Sequence, residues 1–355
     1  MSLGAANASC NLDAFAQARS QSLKNDIQLH QKGNYSMHYR RLGRSGLKVS
    51  EISLGSWINF GGQVDEKAAA ELVRAAYDQG VNYFDNADSY ANGLSETIMG
   101  KAVRGLPREG LILSSKVFWP TMPGPNGRGL SRKHITESIN ASLRRSNLEY
   151  LDLYFCHRYD PDTPIEELVW TMTNLILQGK ILYWGTSEWE ASQVAQAYGV
   201  ARQYNLIPPT MEQPQYNLFH RRRVELELSP LCRELGLGLT TFSPLYSGIL
   251  SGKYNNGIPE SSRATMPDMG WMRDRITPER IAIVRKLTNL AQELEITTAQ
   301  LALAWILRRK EVSSVITGAV RLEQLDENLA AAEGVDRLTD DLLEQIEKIV
   351  GNLPE

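Results

Sequence analysis

Short apolar runs alternate with helical stripes of apolar residues along most of the chain. The runs are rich in β-branched and aromatic residues, and they begin near positions 51, 82, 111, 150, 181, 210, 237 and 312. Runs of this kind are typical of buried strands, and most lie about 30 residues apart with a helical pattern between them. Eight repeated strand-helix units predict an α/β fold in which parallel strands close into a (β/α)8 TIM barrel.

Two of the intervening helices carry clear start and stop signals. Asp65 is placed as an N-cap before a stripe at positions 69, 72, 73 and 76, and Gly80 is placed to end that helix. Residues 163–166 match a capping box with proline at the first helical position. The pattern therefore predicts one helix after Asp65 and another after Thr163.

A doubly wound open sheet would also alternate strands with helices, but it needs a glycine-rich turn after its first strand. Residues 236–238 and 124–129 both fail the G-x-G-x-x-G spacing. Residues 248–253 are one residue short of a phosphate-binding P-loop, and Tyr254 stands where Ser or Thr is needed. The sequence therefore argues against a Rossmann dehydrogenase and against a P-loop kinase.

Four polar residues, Asp85, Tyr90, Lys116 and His157, lie at or just beyond the carboxyl ends of three apolar runs. In a TIM barrel the catalytic groups come from this end of the strands, so we expect the four to meet in one pocket. Lys116 would lower the pKa of the Tyr90 phenol, Asp85 would keep the lysine charged, and His157 would bind the oxygen that the phenol protonates. Each residue alone is more often a turn, rim or solvated residue, so the prediction depends on the set.

The segment 243–311 is much longer than an ordinary connection between a strand and a helix, which has a few residues. It contains the cations Lys253 and Arg263. A long loop over the active face can fold across a cofactor and hold its phosphates with cations. The alternative interpretation is an irregular surface insertion.

Composition is consistent with a soluble enzyme. The 355 residues, 42% of them apolar, suffice for one large barrel with insertions or for two ordinary domains. Because the net charge is −3, we expect no nucleic-acid partner, and the basic cluster at 220–223 is interpreted as the solvated start of a helix. No segment approaches the roughly 18 uninterrupted apolar residues of a transmembrane helix, so we expect no direct membrane insertion.

The three cysteines, Cys10, Cys156 and Cys232, give neither a disulfide framework nor a Cys-x-x-Cys metal spacing. We therefore expect no metal site and a reducing, cytoplasmic location. Residues 1–36 are rich in Ala, Ser, Asn and Gln and lack a sustained apolar stripe. This composition predicts a disordered N-terminal tail, followed by a single barrel domain over residues 37–355.

The chain resembles the aldo-keto reductases, and within them the branch of voltage-gated potassium channel β subunits. The similar segments are 39–50, 84–90, 114–116, 151–157, 183–187, 212–217, 242–245 and 251–254, then Gly318 and Ala319 followed by Gln324, Glu327 and Asn328. Together they run in the family's order from about residue 37 to 353. The resemblance implies a TIM barrel with extra helices and a long cofactor-binding loop after the seventh barrel strand.

The resemblance also implies which residues bind NADPH or NADP+. At the nicotinamide end these would be Gly55, Ser56, Trp57 and Asp85, with Ser187 and Gln213 on the carboxamide and Tyr216 stacked on the ring. The diphosphate and ribose would contact Ser243, Leu245, Ser247, Lys253 and Arg263. The adenosine end would contact Gly318, Arg321, Gln324, Glu327 and Asn328, although residues 322–332 alone look like a plain solvated helix.

Two departures from the family pattern matter for function. Many members have Lys-Ser where this chain has Gly318 and Ala319, and Arg where it has Gln324. The contact with the 2′-phosphate of NADPH would therefore have to come from Arg321, Lys253 or Arg263. His157 matches the histidine of the active reductases, whereas the animal channel subunits carry Asn there. The resemblance therefore implies a reductase that uses NADPH to reduce an aldehyde or ketone, with Tyr90 delivering the proton.

Two other functions stay open at this point. One is a regulatory protein that, like the channel subunits it resembles, binds NADPH without catalysis. The other is an aldolase with Lys116 as its Schiff-base nucleophile. The resemblance further implies a homotetramer and a channel partner. The carbonyl substrate itself is not identified by the sequence.

Overall fold

The computed structural model describes residues 37–260, 262–266 and 269–352, so the predicted tail over 1–36 lies outside the described residues. The strands are β1 (Tyr39–Arg41), β2 (Lys48–Ser50), β3 (Ile52–Gly55), β4 (Tyr83–Asp85), β5 (Ile112–Val117), β6 (Leu151–Cys156), β7 (Ile181–Ser187), β8 (Met211–Gln213), β9 (Gly238–Thr241) and β10 (Val312–Thr317). Strands β3 to β10 form a closed parallel barrel, which confirms the predicted TIM barrel. Each predicted strand start lies within one residue of the observed start.

Helices surround the barrel and supply its outer layer. They are α1 (Glu66–Asp78), α2 (Leu94–Ala102), α3 (Arg132–Ser146), α4 (Ile165–Leu177), α5 (Ala191–Gln203), α6 (Ser229–Leu235), α7 (Gly270–Arg273), α8 (Pro278–Glu293), α9 (Thr298–Leu307), α10 (Leu322–Leu329) and α11 (Asp340–Val350). None of the helices in the described part of the chain is long and apolar enough to cross a membrane.

Helix α1 begins and ends as the sequence predicts. Asp65 accepts a hydrogen bond from the Ala68 amide at 2.8 Å, and the stripe residues Ala69, Leu72, Val73 and Ala76 are all buried against the barrel. The helix ends at Asp78, and Gly80 follows with a φ of 90°, a left-handed value that glycine adopts without strain.

The capping box predicted at the start of α4 is wrong. Helix α4 begins at Ile165, and its N-cap, Pro164, makes no side-chain capping bond. The Thr163 hydroxyl donates instead to Asp160 Oδ2 at 2.8 Å, and the same carboxylate accepts from the Leu130 amide at 2.7 Å. Because Asp160 occupies the threonine side chain, the first turn of α4 is left without its expected cap.

One residue of the basic cluster at 220–223 is not solvated as the sequence suggested, although His220 and Arg222 are exposed and a helical segment begins at Arg223. Arg221 is 5% exposed, and its guanidinium bonds Glu225 at 3.0 Å and Glu347 at 2.5 Å. These ion pairs join a π-helical turn, Arg223–Leu228, to helix α11. Burial of the arginine follows from two carboxylates that converge on it, one of them far away in the sequence.

The hairpin of β1 and β2 closes the amino-terminal end of the barrel. Leu42 and Val49 pack with the inward-facing Tyr83, Phe155 and Ile316 in one buried cluster. Arg40 fixes the hairpin to the barrel by donating to the carbonyl oxygens of residues 307 and 312, at 2.8 and 3.0 Å. The barrel is therefore filled with apolar side chains at this end and opens only at the carboxyl end of its strands.

Strand alternation explains which polar groups line the open end. Side chains two residues apart on a strand face the same side. Tyr83, Phe155 and Met211 face inward in the apolar cluster. The residues two positions further along, Asp85, His157 and Gln213, therefore also face the barrel axis, one layer nearer the open end.

Candidate active site

A buried ammonium organises the centre of the pocket. Lys116 is completely buried, and its Nζ donates to Asp85 Oδ2 at 2.6 Å, to the Asn86 carbonyl oxygen at 2.7 Å and to Tyr90 Oη at 3.3 Å. An ammonium group has three hydrogens, so these three acceptors satisfy it completely. Because Tyr90 Oη accepts from the lysine, the phenol's own hydrogen is free to point into the pocket.

Asp85 is held by neutral donors as well as by the lysine. Its second oxygen, Oδ1, accepts from Ser114 Oγ at 2.8 Å, Gln213 Nε2 at 3.0 Å and Tyr83 Oη at 3.1 Å. These donors come from β4, β5 and β8, so the carboxylate ties together three parts of the barrel wall. The position of Lys116 is fixed through this carboxylate.

Tyr90 stands on a tight turn directly after β4. The turn, Tyr90–Gly93, contains Ala91 and Asn92 with φ values of 48° and 54°, in the left-handed region that non-glycine residues seldom adopt. Strained backbone of this kind is retained where the surrounding contacts determine the conformation. We infer that the turn serves to hold the Tyr90 side chain over Lys116.

The electrostatics of Tyr90 differ from the sequence prediction. The pKa of Tyr90 is raised well above its usual value, first because the phenol is buried and second because of the negative charge of Asp85, while Arg158 acts in the opposite direction. The net lowering of this pKa that the sequence predicted is therefore wrong, because burial and the charge of Asp85 outweigh the positive charges nearby. A phenol in this state keeps its proton at neutral pH and donates it only to a stronger base.

His157 follows β6 and completes the group. Its ring lies 6.0 Å from the Tyr90 ring and 6.3 Å from the Trp119 ring, measured between centroids. Burial and the positive charges of Lys116 and Arg158 hold the pKa of His157 well below its usual value, so the imidazole is neutral at neutral pH. Its Nδ1 is buried and has no hydrogen-bond partner among the described residues.

Several predicted cofactor residues surround the same opening. Ser56 Oγ donates to the Asp85 carbonyl oxygen and Ser187 Oγ donates to the Gln213 carbonyl oxygen, both at 3.0 Å. Trp57 is 43% exposed at the rim, where it stacks on Trp271 of the long loop at 6.4 Å. The structure thus brings these residues of β3, β7 and β8 to the end of the barrel that holds Lys116.

Tyr216 does not reach this opening, and its predicted stacking role is wrong. Its ring is fully buried 5.2 Å from the Trp305 ring of α9, and its hydroxyl donates to Glu225 and accepts from Arg309, both at 2.7 Å. The sequence interpretation missed Phe242, which directly follows β9 and is half-buried. Leu239 packs in the outer core, so alternation turns Phe242 toward the barrel axis.

Two cations of the long loop, Lys253 and Arg263, lie close to Arg321, which follows β10, beside the opening. A Cβ added to Gly248 would lie 2.6 Å from Lys253 Nζ, and Arg263 bonds Asn59 and, at 3.1 Å, Gln63. Loss of water around Lys253, together with the charges of Arg263 and Arg321, lowers the pKa of Lys253 to about 8. Like charges are held together here at an energetic cost.

The balancing negative charge is not supplied by the described part of the chain. Neither Lys253 nor Arg263 forms an ion pair with a carboxylate there, and Arg321 reaches only the exposed Glu323, at 4.0 Å. Cations gathered without acids are suited to phosphate groups, as in a dinucleotide. The cations of this region are therefore able to bind phosphate groups.

The remaining predicted residues shape the turn after β10. Gln324 Oε1 accepts from the Val320 amide at 3.0 Å, Asn328 Nδ2 donates to the Gly318 carbonyl oxygen at 3.4 Å, and the Glu327 carbonyl oxygen accepts from a side chain of α9. At the start of the long loop, Ser243 and Ser247 adopt positive φ values of 53° and 61°, and Leu245 packs against the core. These contacts place both segments beside the three cations.

Comparison with known proteins gives this geometry a family. The model of the aldo/keto reductase family matches residues 51–350. The chain belongs to the aldo/keto reductase family. Two similar proteins are a "Probable voltage-gated potassium channel subunit beta" of Arabidopsis thaliana, 47% identical over 323 residues, and one of the same name from Oryza sativa subsp. japonica, 46% identical over 323 residues. Each alignment covers 90% of this chain and 98% of the relative, which confirms the predicted resemblance.

Membership places the chain among oxidoreductases that generally use NADP(H). In this aldo/keto reductase the four residues singled out by sequence, Asp85, Tyr90, Lys116 and His157, do meet at the open end of the barrel. No group of three or more His, Cys, Asp or Glu side chains suited to a metal ion occurs among the residues described. The catalytic and cofactor-binding roles of individual residues stay predictions.

Proposed function

We propose that this aldo/keto reductase uses NADPH to reduce an aldehyde or ketone to an alcohol, with Tyr90 as the proton donor. The observation that carries the proposal is the bonding of Lys116, whose three hydrogens go to Asp85, Asn86 and Tyr90 Oη. This arrangement leaves the phenol hydrogen for the substrate. It also places a positive charge next to the phenolate that remains after the proton has left.

Each residue of the pocket then has a defined task. NADPH supplies the hydride when it is bound. The neutral imidazole of His157 donates a hydrogen bond to the substrate's carbonyl oxygen and polarises the carbonyl group. Tyr90 donates its proton to that oxygen as negative charge develops there, because an alkoxide is a stronger base than a phenolate even when the pKa of the phenol is raised.

The cofactor contacts follow from the same geometry. Lys253, Arg263 and Arg321 would hold the phosphates, and one of them would contact the 2′-phosphate that distinguishes NADPH from NADH. Ser56, Ser187 and Gln213 would bind at the nicotinamide end, with Phe242 in the stacking position first assigned to Tyr216. Gly318, Gln324, Glu327 and Asn328 would shape the site for the adenosine end.

A Schiff-base aldolase is the weaker alternative. Burial lowers the pKa of Lys116, which on its own would favour a reactive amine, but Asp85 opposes this shift. A nucleophilic lysine needs a free lone pair, whereas every hydrogen of this ammonium is bonded to an acceptor. Borohydride treatment in the presence of a carbonyl substrate should therefore leave Lys116 unmodified, as judged by mass spectrometry.

The second candidate function is regulatory. Both relatives are named as potassium channel β subunits and align over nearly their whole length, so we propose a homotetramer that binds NADPH and contacts a channel in the cytoplasm. Light scattering at micromolar concentration tests the tetramer, and a monomeric mass would reject it. Channel binding requires a pull-down with a channel's cytoplasmic domain, because a tetramer alone does not support it.

The deciding experiment follows NADPH oxidation with 4-nitrobenzaldehyde and methylglyoxal. Tyr90→Phe removes the transferable proton and little volume, so turnover should fall at least about a hundredfold, with NADPH affinity nearly unchanged. Tyr204→Phe, at an exposed position outside the pocket, is the matched control and should keep wild-type turnover. Wild-type turnover in Tyr90→Phe would refute the assignment of the acid, and a wild-type protein that binds NADPH without oxidising it would favour the regulatory function.

A further inference from the structure

Arg158 lies next to the catalytic group but has no part in the mechanism given above. It follows His157, and its Nη1 donates to the His157 carbonyl oxygen at 2.5 Å. Its guanidinium carbon lies 5.6 Å from the centroid of the Trp119 ring, which is itself 6.3 Å from the His157 ring. Arg158 therefore stands at the same opening as His157 and Tyr90.

This guanidinium has no carboxylate partner in the part of the chain that the structure describes. The acidic residue with the largest influence on it, Glu188, is already engaged: one oxygen pairs with Arg223 at 3.1 Å and the other accepts from the Gln215 amide at 2.6 Å. A guanidinium has five N–H donors, and the His157 carbonyl oxygen occupies one. The remaining donors are not among the buried unpartnered atoms, so they are accessible to an anionic ligand that enters the opening.

The charge of Arg158 acts directly on the reacting groups. It opposes the effects of burial and of Asp85 that raise the pKa of Tyr90, and it adds to the effects of burial and Lys116 that lower the pKa of His157. A substrate whose carbonyl oxygen meets Tyr90 and His157 therefore has its other end within the field of this cation. The exposed rings of Trp57, Trp119 and Trp271 offer apolar surface to its carbon frame.

We propose that Arg158 binds a carboxylate group of the substrate, so that the preferred substrates are aldehydes or ketones that also carry a carboxylate. The planar guanidinium fork matches both oxygens of a carboxylate, and a bidentate contact fixes the direction of the substrate as well as its affinity. Arg158 is then a specificity-determining residue, and this inference rests on the proposed carbonyl reduction.

The test compares 4-carboxybenzaldehyde with 4-nitrobenzaldehyde, whose nitro group has nearly the shape of a carboxylate but no net charge. In Arg158→Met the KM for 4-carboxybenzaldehyde should rise about tenfold to a hundredfold, the range of a lost charge-assisted contact. Any change in kcat should be the same for both aldehydes, because the effect of the Arg158 charge on Tyr90 and His157 does not depend on the substrate. The KM for 4-nitrobenzaldehyde should change by less than about threefold, because that ligand never made the contact. Arg158→Lys, which keeps the charge without the fork, should recover part of the loss.

Arg128→Met is the matched control, because Arg128 is exposed and its guanidinium lies 5.6 Å from the Phe118 ring, on the residue next to Trp119. This variant also removes one positive charge, but at a position outside the pocket, so the KM values of both aldehydes should stay at their wild-type level. Binding is also measured without turnover, by benzoate quenching of the Trp119 fluorescence. The quenching should disappear in Arg158→Met and in Trp119→Phe.

The outcomes separate the two proposals. An equal rise in the KM of both aldehydes in Arg158→Met would refute the assignment of Arg158, as would benzoate quenching that persists in that variant. Neither result would contradict carbonyl reduction. A wild-type protein that reduces neither aldehyde would refute carbonyl reduction and this inference with it.

Discussion

The ion pair between Lys116 and Asp85 gives the sharpest quantitative prediction. Both side chains are out of contact with water, with exposures of 0% and 4%, and the Nζ to Oδ2 distance is 2.6 Å. Removing one partner of a buried pair leaves an uncompensated charge, which typically costs about 3–5 kcal/mol of the free energy of unfolding. In Lys116→Met the Asp85 carboxylate keeps three neutral donors, so we expect the lower end, about 3 kcal/mol.

Two further variants isolate the contribution of the charge. In the double variant Lys116→Met with Asp85→Asn no charge remains buried, so the loss should shrink to about 1–2 kcal/mol. The surface pair between Lys101 and Glu66 has the same distance of 2.6 Å but exposures of 48% and 52%. Lys101→Met should therefore cost less than about 1 kcal/mol, because water screens that pair.

The assay is urea unfolding at pH 7, followed by tryptophan fluorescence for the wild type and the three variants. The expected difference between the two ion pairs comes from burial and not from distance, which is 2.6 Å in both. Equal losses for Lys116→Met and Lys101→Met would refute it, as would a double variant that is less stable than Lys116→Met alone.

Three other predictions concern single charged groups. Burial raises the pKa of Glu212 to about 8, so ionisation of this group lowers the stability of the fold as pH rises from about 4.5 toward 8. The melting temperature of Glu212→Gln should therefore rise relative to that of the wild type between pH 5 and 8.5. A constant difference between the two melting temperatures over this range would contradict the prediction. Lys253, Arg263 and Arg321 are each replaced by Met, and the binding of NADPH and NADH is measured by fluorescence titration. Loss of the residue that contacts the 2′-phosphate should weaken the binding of NADPH by about 1.5–3 kcal/mol and leave the binding of NADH unchanged. Equal weakening would assign that residue to the diphosphate, and equal wild-type affinities would remove the NADPH preference. Because the pKa of Lys253 is lowered to about 8, this side chain loses its proton above pH 8. The affinity for NADPH should therefore fall about twofold to tenfold from pH 7 to 9 in the wild type but not in Lys253→Arg, a modest loss because water screens the charge. A wild-type affinity that does not change with pH would contradict the prediction.

The barrel was readable from the sequence because its signals are local. A buried parallel strand is a short apolar run, and eight such runs at regular spacing leave few topologies. The hairpin of β1 and β2 was not predicted, since strands of three residues carry too little pattern. Its role depends on Leu42 and Val49 meeting Tyr83 inside the barrel, a contact between distant parts of the chain.

The errors at the site have the same origin. Arg221 is buried because Glu347, 126 residues away, reaches it, and Tyr216 is held in the core by Arg309, 93 residues away. The raised pKa of Tyr90 depends on burial and on the charge of Asp85, which only the folded structure brings together around the phenol. The positions of Asp85, Tyr90, Lys116 and His157 were nevertheless predictable, because the ends of parallel strands meet at one end of a barrel.

The hairpin of β1 and β2, which closes the amino-terminal end of the barrel, affects how ligands bind and leave. Because Leu42 and Val49 pack against Tyr83, the pocket is closed at its inner end, and molecules enter and leave it through one opening. If two ligands share such a pocket, the deeper one must arrive first and depart last. Under the proposed function the cofactor is the deeper ligand, so product-inhibition patterns should show it as the first ligand on and the last ligand off.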